Sequence, residues 1–451
     1  MSFDFVFVPY GKGRDKPMSI FYMAYIILTS GLLLLFSPFF CVYVAVTGRY
    51  KHNIKERLGF LPGNVIKSLS GYPRIWIHAA SLGEVKVASP IIKALRNLMP
   101  KCSIILSTNT AHGRNLAIET FGCEVPVVYA PVDFILTVRK ALSSVSPDVM
   151  VFLETELWPG WLFEAHRMGI KTALVNGRIS QRSIKRYLRL RPFFRDVLSN
   201  LDIFSMILDG DAERIKKMGA VPEKIEINGN AKYDLLTTLI CPSLKEETRQ
   251  ALNLKESQRV IVAGSTRNGE EEIILDAYEK VLRQFSDTVL IIVPRHIERA
   301  RFIGSLIGRR GLGYQCRTGI GRGKANRTEN VLIVDTFGEL FKIYSIATIV
   351  FCGASLVSLG GQNPLEPAAW GKVVFYGPSM DNFLDAKTLL EDAGAGVQVS
   401  GAREMAEKVT WFFNRPHEIK SYGERARESV IKNRAAAEKH ATVIYRLLYR
   451  R

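Results

Sequence analysis

The chain begins with an apolar stretch that differs in kind from everything after it. No charged side chain occurs between Ser19 and Thr47. About 20 apolar residues are enough to cross a hydrocarbon core of roughly 30 Å, so the stretch predicts a membrane-anchoring helix. It is longer than the apolar region of a cleaved signal peptide. Pro38 interrupts it, which leaves open whether the helix spans the membrane or lies within one leaflet.

Beyond the anchor, short β-rich runs alternate with stretches of helical period. This alternation is typical of βαβ units and predicts parallel sheets covered by helices. The first set of predicted strands comprises RIWIHAA, CSIILSTN, VPVVYAP, DVMVFLE, KTALVNG, IFSMILD and KIEING. The second set comprises RVIVAGS, TVLIIVP, VLIVDT, ATIVFCG, KVVFYG and GVQVS. The expected fold class is therefore α/β, with two Rossmann-like, doubly wound domains facing a cleft.

The strand pattern stops around residues 230–250, where a polar helical stretch begins. A chain of 451 residues is also too long for a single hydrophobic core. We therefore predict a tail and anchor over 1–47, a first domain over 48–235, a second over 236–430, and a C-terminal amphipathic helix over 431–451. No G-x-G-x-x-G follows the first strand of either half, which argues against a dinucleotide enzyme.

The charge balance indicates an anionic partner. The formal net charge is +18, which suits an acidic membrane surface, a phosphorylated substrate or nucleic acid. Basic residues flank the apolar stretch, more densely on its C-terminal side: Lys12, Arg14 and Lys16, then Arg49, Lys51, Lys55 and Arg57. The positive-inside rule then places the bulk of the chain in the cytoplasm. The six cysteines form no C-x-x-C pair, so neither a zinc site nor a disulfide framework is expected.

Acidic residues follow two predicted strands of the first half. Ser81 and Glu84 have the spacing of a capping box, in which both side chains satisfy free N–H groups at a helix start. A chemical role for Glu84 is the alternative, and the turn alone does not decide between them. Glu154 and Glu156 follow another apolar strand, two residues apart, which is harder to explain by capping alone. Lys232 stands at the predicted domain junction, where an ammonium group could reach a ligand.

Between these features lies a basic segment, QRSIKRYLRLRPFFRDV, over residues 181–197. Its mixture of cationic and apolar side chains predicts a helix that contacts an anionic membrane surface. An ordinary solvated helix with one core-facing stripe has the same pattern, and both interpretations stay open.

Strand ends in the second half carry small and cationic residues. Gly264, Ser265 and Thr266 could offer backbone N–H groups and hydroxyls to a phosphate. Arg295 follows Pro294 at the end of an apolar strand, and its guanidinium suits a phosphate or carboxylate. The segment GGQNPLEP, residues 360–367, is a Gly-rich loop that opens a helix. In it, Asn363 can cap, Pro364 fits the first helical position and Glu366 the third.

Taken in order, these segments resemble the motif series of the bacterial 3-deoxy-D-manno-octulosonic acid (Kdo) transferases over roughly residues 48–430. The motifs are HAASLGE, ETELWP, NGRIS-x-RS, GNAKYD, GST, PRH-x-ER, DTFGEL and GGQNPLEPAAWGK. Four positions depart from the family pattern. Arg267 and Gln362 stand where the family commonly has His, and Ile297 stands where it has Pro. Phe337 replaces a Met.

The resemblance implies a GT-B fold and an inverting, metal-independent glycosyltransferase without a cofactor, acting at the cytoplasmic face of the inner membrane. The implied substrates are CMP-Kdo and a lipid A precursor, with no nucleic acid. Glu84 would be the general base, with Glu154 and Lys232 as transition-state stabilisers. The implied CMP contacts are Pro294, Arg295, Phe337, Gly338, Glu339, Asn363, Pro364, Leu365 and Glu366. Further donor or acceptor contacts would come from Ser81, Gly83, Arg178, Gly264, Ser265, Thr266, Gly361 and Gln362.

Two other functions remain as alternatives. The first is a GT-B transferase that uses a UDP-sugar on a lipid acceptor. The second is a membrane-tethered, non-catalytic module that binds nucleotides or nucleic acid, although no RNP-like or helix-turn-helix pattern accompanies the basic charge.

Overall fold

The computed structural model of the chain describes residues 19–47, 53–320, 326–432 and 435–449, and they form two compact units. The first unit comprises the described residues up to Leu235 together with those from Ala435 onward. The second begins at Leu236 and comprises the described residues in between. The basic residues predicted around the anchor at positions 12–16, 49 and 51 lie outside the described residues.

The first unit has a parallel sheet that contains all of the strands predicted for it. Its described strands are β1 Arg74–His78, β2 Ser103–Thr108, β3 Val127–Tyr129, β4 Val149–Leu153, β5 Lys171–Gly177, β6 Ile203–Met206 and β7 Ile225–Ile227. Their spatial order is β3-β2-β1-β4-β5-β6-β7. The order reverses between β1 and β4, and in doubly wound sheets ligands bind beyond the carboxyl ends of strands at such a point.

Helices cover both faces of this sheet, and the chain-terminal helix is among them. The described helices of this unit are α1 Ile20–Thr47, α2 Ile54–Arg57, α3 Gly63–Ser68, α4 Leu82–Leu98, α5 Ala111–Phe121, α6 Ile135–Val145, α7 Pro159–Arg167, α8 Gln181–Arg189, α9 Arg191–Ser199, α10 Asp209–Met218 and, last in the chain, α20 Ala436–Tyr449. The helix α11 Lys232–Thr238 begins in this unit and ends in the second. Side chains alternate along each strand, so β1 contributes Trp76 to the core on one face and Ile75 and Ile77 to the core on the other.

The second unit repeats the arrangement. Its described strands are β8 Val260–Thr266, β9 Val289–Pro294, β10 Tyr314–Cys316, β11 Val331–Ile333, β12 Ile349–Cys352, β13 Val373–Tyr376 and β14 Gly396–Gln398, in the order β10-β11-β9-β8-β12-β13-β14. Its helices are α12 Pro242–Ala251, α13 Glu270–Leu282, α14 Ala300–Arg309, α15 Leu340–Tyr344, α16 Leu365–Ala369, α17 Leu384–Asp392, α18 Ala402–Phe413 and α19 Pro416–Lys432. The prediction of two doubly wound domains is confirmed.

The structure adds one strand to the sequence predictions and corrects two of the predicted helices. The edge strand β10 was not predicted, because its three residues carry no apolar run. The basic segment forms two helices, α8 and α9, because Pro192 lacks the N–H group that would continue α8 through this point. The C-terminal stretch is not one helix: α19 ends at Lys432 in the second unit, and α20 packs on the first.

Polar contacts tie α20 to the first unit. The Asp234 carboxylate accepts hydrogen bonds from the backbone N–H groups of Ala435, at 2.8 Å, and Ala437, at 2.7 Å. His440 is fully buried between the Ser205 hydroxyl and the Gly229 carbonyl, and burial lowers the pKa of its imidazole to about 4. A neutral imidazole therefore completes this interface at physiological pH.

We expect Asp234→Ala to lower the free energy of unfolding by roughly 1–2 kcal/mol, because it removes a helix cap at the start of α20. Urea denaturation followed by tryptophan fluorescence measures the change. Glu119→Ala, which removes an exposed carboxylate from α5, is the control and should change the unfolding free energy by less than about 0.5 kcal/mol. Equal effects of the two variants would contradict the capping role of Asp234.

Candidate functional site

The turn after β1 holds Glu84 in a capping box. Ser81 precedes α4, and its Oγ accepts a hydrogen bond from the Glu84 backbone N–H at 3.4 Å. The Glu84 carboxylate accepts from the Ala80 N–H at 2.7 Å and from the Ser81 hydroxyl at 2.9 Å. Gly83 lies in the first turn of α4, with only the Ser81 Oγ near its missing Cβ. Ser81 and Glu84 therefore cap the start of α4, and these hydrogen bonds fix the Glu84 carboxylate at the carboxyl end of β1.

Glu154, in the turn after β4, forms an ion pair with Lys232 at the start of α11. The Glu154 carboxylate and the Lys232 Nζ are 2.6 Å apart. The backbone of Glu154 has φ +55°, a strained conformation for a residue with a side chain. Its N–H donates to Val175 at 3.1 Å and its carbonyl accepts from the Arg178 N–H at 3.3 Å, so the neighbouring strand β5 holds the turn in this geometry.

Glu156 has partners of its own. It accepts a hydrogen bond from the Trp158 indole at 2.5 Å and lies 3.7 Å from the His78 Nε2. His78 is buried at the end of β1, with its Nδ1 3.0 Å from the Ser107 hydroxyl and its ring stacked on Trp161. Burial raises the pKa of Glu156, but the interactions with His78 and Trp158 outweigh it and leave the pKa below its usual value.

His78 was missed in the sequence analysis. The available signal was a single imidazole at the end of an otherwise apolar strand, RIWIH, next to the acidic turn. Trp161 gave no signal, because its stacking on His78 depends on the pairing of β1 with β4 and on the position of α7.

Glu84 differs from the other two acids in its electrostatic surroundings. Burial raises its pKa, the charges of Glu156 and Glu154 raise it further, and the Ala80 and Ser81 hydrogen bonds oppose these effects. The resulting pKa is about 7. A carboxylate with a pKa near the operating pH is well matched to accept a proton. The geometry therefore permits a capping role and a chemical role for the same side chain.

In the second unit, the end of β8 is shaped by internal packing. A Cβ on Gly264 would lie 2.2 Å from the Tyr344 hydroxyl, so glycine is needed there. Ser265 has φ +55°, and the buried Thr266 donates its hydroxyl to Glu271 at 3.1 Å. Local packing thus accounts for all three residues, and the expected contact with a phosphate stays a prediction.

The adjoining loop is organised by a buried carboxylate that the sequence analysis did not identify. Glu270 is fully buried and accepts hydrogen bonds from the backbone N–H groups of Arg267, Ala354, Ser355 and Leu356, at 2.7–3.0 Å. The interaction joins the ends of β8 and β12. Its only sequence signal was a run of three acids at a helix start, which is a common pattern.

Arginine side chains accompany the end of β9. Pro294 is buried as the last residue of the strand, whereas Arg295 is exposed and its backbone N–H donates to Thr266 at 3.1 Å. Arg267, one of the departures from the family pattern, places its guanidinium 2.6 Å from the His296 Nε2.

The loop after β11 presents an exposed aromatic ring. Phe337 is 75% exposed and precedes Gly338, whose φ is +79°. Glu339 receives hydrogen bonds from Thr336, from Lys342 at 2.9 Å and from Arg317 at 3.2 Å. These interactions outweigh burial and lower the pKa of Glu339, which stays ionised.

The Gly-rich segment opens α16 one residue later than predicted. Pro364 precedes the helix, and the Asn363 Oδ1 accepts from the Leu365 N–H at 3.1 Å. Gly361 has φ +76°, and a Cβ there would lie 2.4 Å from the Met380 sulfur. Gln362 and Glu366 are half-buried.

Comparisons with known proteins bear on both units. A family described as "3-Deoxy-D-manno-octulosonic-acid transferase (kdotransferase)" matches residues 52–235. A 3-deoxy-D-manno-octulosonic acid transferase from Haemophilus influenzae is 30% identical over 91% of this chain and 96% of its own length. A bifunctional glycosyltransferase/methyltransferase from Fusobacterium nucleatum is 35% identical over 78% of this chain. The match covers about half (55%) of the length of that protein. The crystal structure of a glycosyltransferase from Rickettsia africae matches with a TM-score of 0.58 and 15% identity, over 84% of this chain and 99% of that one, which shows the fold.

The raised pKa of Glu84 predicts a pH-dependent stability. Its pKa is about 7 in the folded chain and 4.5 when exposed, so the folded state retains a proton that the unfolded state releases. Stability should therefore fall as the pH rises from about 4.5 to 7. Glu84→Gln removes this effect, and we expect it to stabilise the fold at pH 8 by up to about 3 kcal/mol relative to wild type, and by less than about 1 kcal/mol at pH 5.

Urea denaturation of both proteins at the two pH values measures the difference. The glutamine can still accept the Ala80 hydrogen bond, so the cap itself is retained. A difference between variant and wild type that is the same at both pH values would contradict the raised pKa.

Proposed function

Because this chain belongs to the Kdo transferase family, we propose that it transfers Kdo from CMP-Kdo to a lipid IVA-like precursor of lipid A with Glu84 as the general base. Membership makes the protein a glycosyltransferase that transfers Kdo in lipopolysaccharide biosynthesis. The observation that carries the finer proposal is a carboxylate with a pKa of about 7 at the carboxyl end of β1.

In the proposed reaction, Glu84 accepts the proton of the acceptor hydroxyl as it attacks. The acceptor oxygen forms a bond to the anomeric carbon of Kdo, and the bond from that carbon to the CMP phosphate oxygen breaks. The electron pair of the broken bond leaves with CMP. Attack from the face opposite the leaving group inverts the configuration.

Glu154 and Lys232 are proposed to stabilise the transition state. The two side chains form an ion pair of 2.6 Å, and the negative charge of Glu154 acts on Glu84. A carboxylate favours the positive charge that develops on the sugar ring, and an ammonium favours the anionic groups of the donor. The strained backbone of Glu154 supports this role, because strain of this kind clusters at functional sites.

The second unit is proposed to bind CMP at the carboxyl edge of its sheet. Arg295 is exposed there and suits the phosphate, while Glu366 suits the ribose hydroxyls. The remaining proposed contacts are Pro294, Phe337, Gly338, Glu339, Asn363, Pro364 and Leu365. A monophosphate leaving group carries less charge than a diphosphate, so cationic side chains and backbone N–H groups can neutralise it, and we propose that no metal takes part.

The acceptor is proposed to reach the site from the cytoplasmic face of the inner membrane. Residues 20–39 of α1 are long and apolar enough to cross a bilayer, and little of that stretch is buried. The net charge of +18 would favour both an anionic lipid surface and a phosphorylated acceptor.

We expect Glu84→Gln to lower Kdo transfer from CMP-Kdo to the lipid A precursor by roughly 10²–10⁴-fold, because it removes the base and retains the cap. The matched control is Glu124→Gln, which neutralises an exposed carboxylate of the same unit and should transfer at the wild-type rate. Transfer by Glu84→Gln at the wild-type rate would refute the assignment and direct the search for the base to Glu156.

CMP should raise the melting temperature of the protein, whereas UDP at the same concentration should not, because the proposed site takes a CMP-linked donor. Arg295→Ala should abolish this protection. Arg301→Ala, which removes another exposed guanidinium from the adjacent helix α14, should retain it. Protection by UDP alone would favour the transferase that uses a UDP-sugar, and retention of RNA without turnover would favour the non-catalytic module.

A further inference from the structure

The first turns of α1 are docked on the first unit rather than free. Tyr22 is 3% exposed, and its ring stacks on Phe163 of α7 with centroids 3.6 Å apart. The ring of Tyr25 lies 6.0 Å from that of Phe193 of α9. Ser19, just before the helix, donates its hydroxyl to Asp196. Aromatic and polar contacts to two helices therefore hold the beginning of α1 against the unit.

The rest of α1 exposes apolar side chains, and this part of the helix is still long enough to cross a membrane. Large apolar side chains between Ile27 and Val46 are exposed, including Leu34 at 74%. Residues 26–47 have a helical length of about 33 Å, which matches a hydrocarbon core. Docking of the first turns therefore leaves a membrane-length segment, and the two parts can act at the same time.

Asp133 connects the docked part of α1 to α7. Its carboxylate accepts hydrogen bonds from the Tyr25 hydroxyl at 2.6 Å, from the Gly160 N–H at 3.2 Å and from the Trp161 N–H at 3.0 Å. The last two are free N–H groups at the start of α7, so Asp133 caps that helix. A Cβ on Gly160 would lie 2.4 Å from the Asp133 carboxylate, which allows only glycine at this contact.

Two tryptophans at the start of α7, Trp158 and Trp161, contact the residues around Glu156. Trp161 stacks on His78 with centroids 5.8 Å apart. Trp158, immediately before α7, donates to Glu156 at 2.5 Å and meets the His78 ring edge-on. Contacts therefore run without a gap from Tyr25 through Asp133, Trp161 and His78 to Glu156, whose charge raises the pKa of Glu84.

We propose that Tyr25 and Asp133 are positioning residues for the transfer reaction. Docking of the N-terminal helix fixes the start of α7, and the start of α7 in turn fixes the position of Glu156 in the turn after β4. The helix is then part of the active-site scaffold as well as an anchor. This inference rests on the proposed function in taking Glu84 as the base.

The chain offers a matched pair of variants for the test. Tyr25→Phe removes the hydroxyl that bonds to Asp133 and keeps the ring. Tyr22→Phe makes the same chemical change one turn earlier, at a buried hydroxyl that has no hydrogen-bond partner among the described residues. Both variants leave the apolar part of α1 intact, so membrane partition should stay at the wild-type level in each.

Two measurements on the full chain in detergent micelles separate positioning from general stability. Amide hydrogen exchange reports the first turn of α7, where Gly160 and Trp161 bond to Asp133. The pH profile of kcat/KM reports the base. A reduced fraction of folded protein would lower the rate at every pH and leave the profile unshifted.

The charges around Glu84 determine the direction in which the pH profile of kcat/KM should shift. Glu156 and Glu154 face it from the turn after β4, Lys232 of α11 pairs with Glu154, and His78 of β1 faces Glu156. If the start of α7 loosens, Glu156 moves away from Glu84 and its repulsion weakens. The pKa of Glu84 then falls below about 7, although its burial still holds it above 4.5, and the acidic limb of the profile moves to lower pH.

We expect Tyr25→Phe to speed exchange in the first turn of α7, to shift the acidic limb downward and to lower kcat/KM by roughly tenfold, as a misplaced catalytic group does. Asp133→Asn should reproduce these effects, and Tyr22→Phe should match wild type. Exchange and pH profiles of Tyr25→Phe that equal those of Tyr22→Phe would overturn the inference. If Glu84→Gln retains transfer, the base assignment fails, while the exchange comparison still decides whether α1 positions α7.

Discussion

Three carboxylates lie close together at the carboxyl ends of β1 and β4, and like charges in a partly buried site repel each other unless each has its own compensation. Glu154 has the ammonium of Lys232, and Glu156 has the indole of Trp158 and the imidazole of His78. Among the described residues, the hydrogen-bond donors to the Glu84 carboxylate are the neutral groups of Ala80 and Ser81. Burial of Glu84 and the charges of Glu156 and Glu154 together therefore raise its pKa to about 7.

Carboxylates that bind backbone N–H groups recur where distant segments meet. Asp133 joins α1 to α7, Asp234 joins α11 to α20, and Glu270 joins the ends of β8 and β12. In each case a loop or helix start with free N–H groups receives an acceptor from elsewhere in the chain. The starts of α7 and α20 and the loop after β12 are thus held by carboxylates from other segments of the chain.

Local sequence patterns predicted every described strand except β10, and they placed Glu84, Glu154 and Glu156 just after strands. Alternating apolar runs marked the strands, and Glu84, Glu154 and Lys232 stood at strand or junction ends. The partners that tune these residues come from other segments. His78 needs the pairing of β1 with β4 to meet Glu156, and Glu270 needs β12 beside β8 to meet Ala354. Their roles depend on strand order, which periodicity does not encode.

Because α20 packs on the first unit but follows the second unit in the chain, the first unit is completed only after the second unit has been synthesised. Asp234 and its backbone partner Ala435 are 201 positions apart in the chain. At about 5–20 residues per second, a ribosome needs roughly 10–40 s to make the residues between them. The α1 segment is made before either unit, and the whole of the second unit is synthesised during that interval. Until α20 is made, the hydrophobic core of the first unit lacks the side chains of Ala437, Ala441 and Ile444. A newly made chain is therefore able to reach the membrane before the unit that would receive the lipid acceptor is finished.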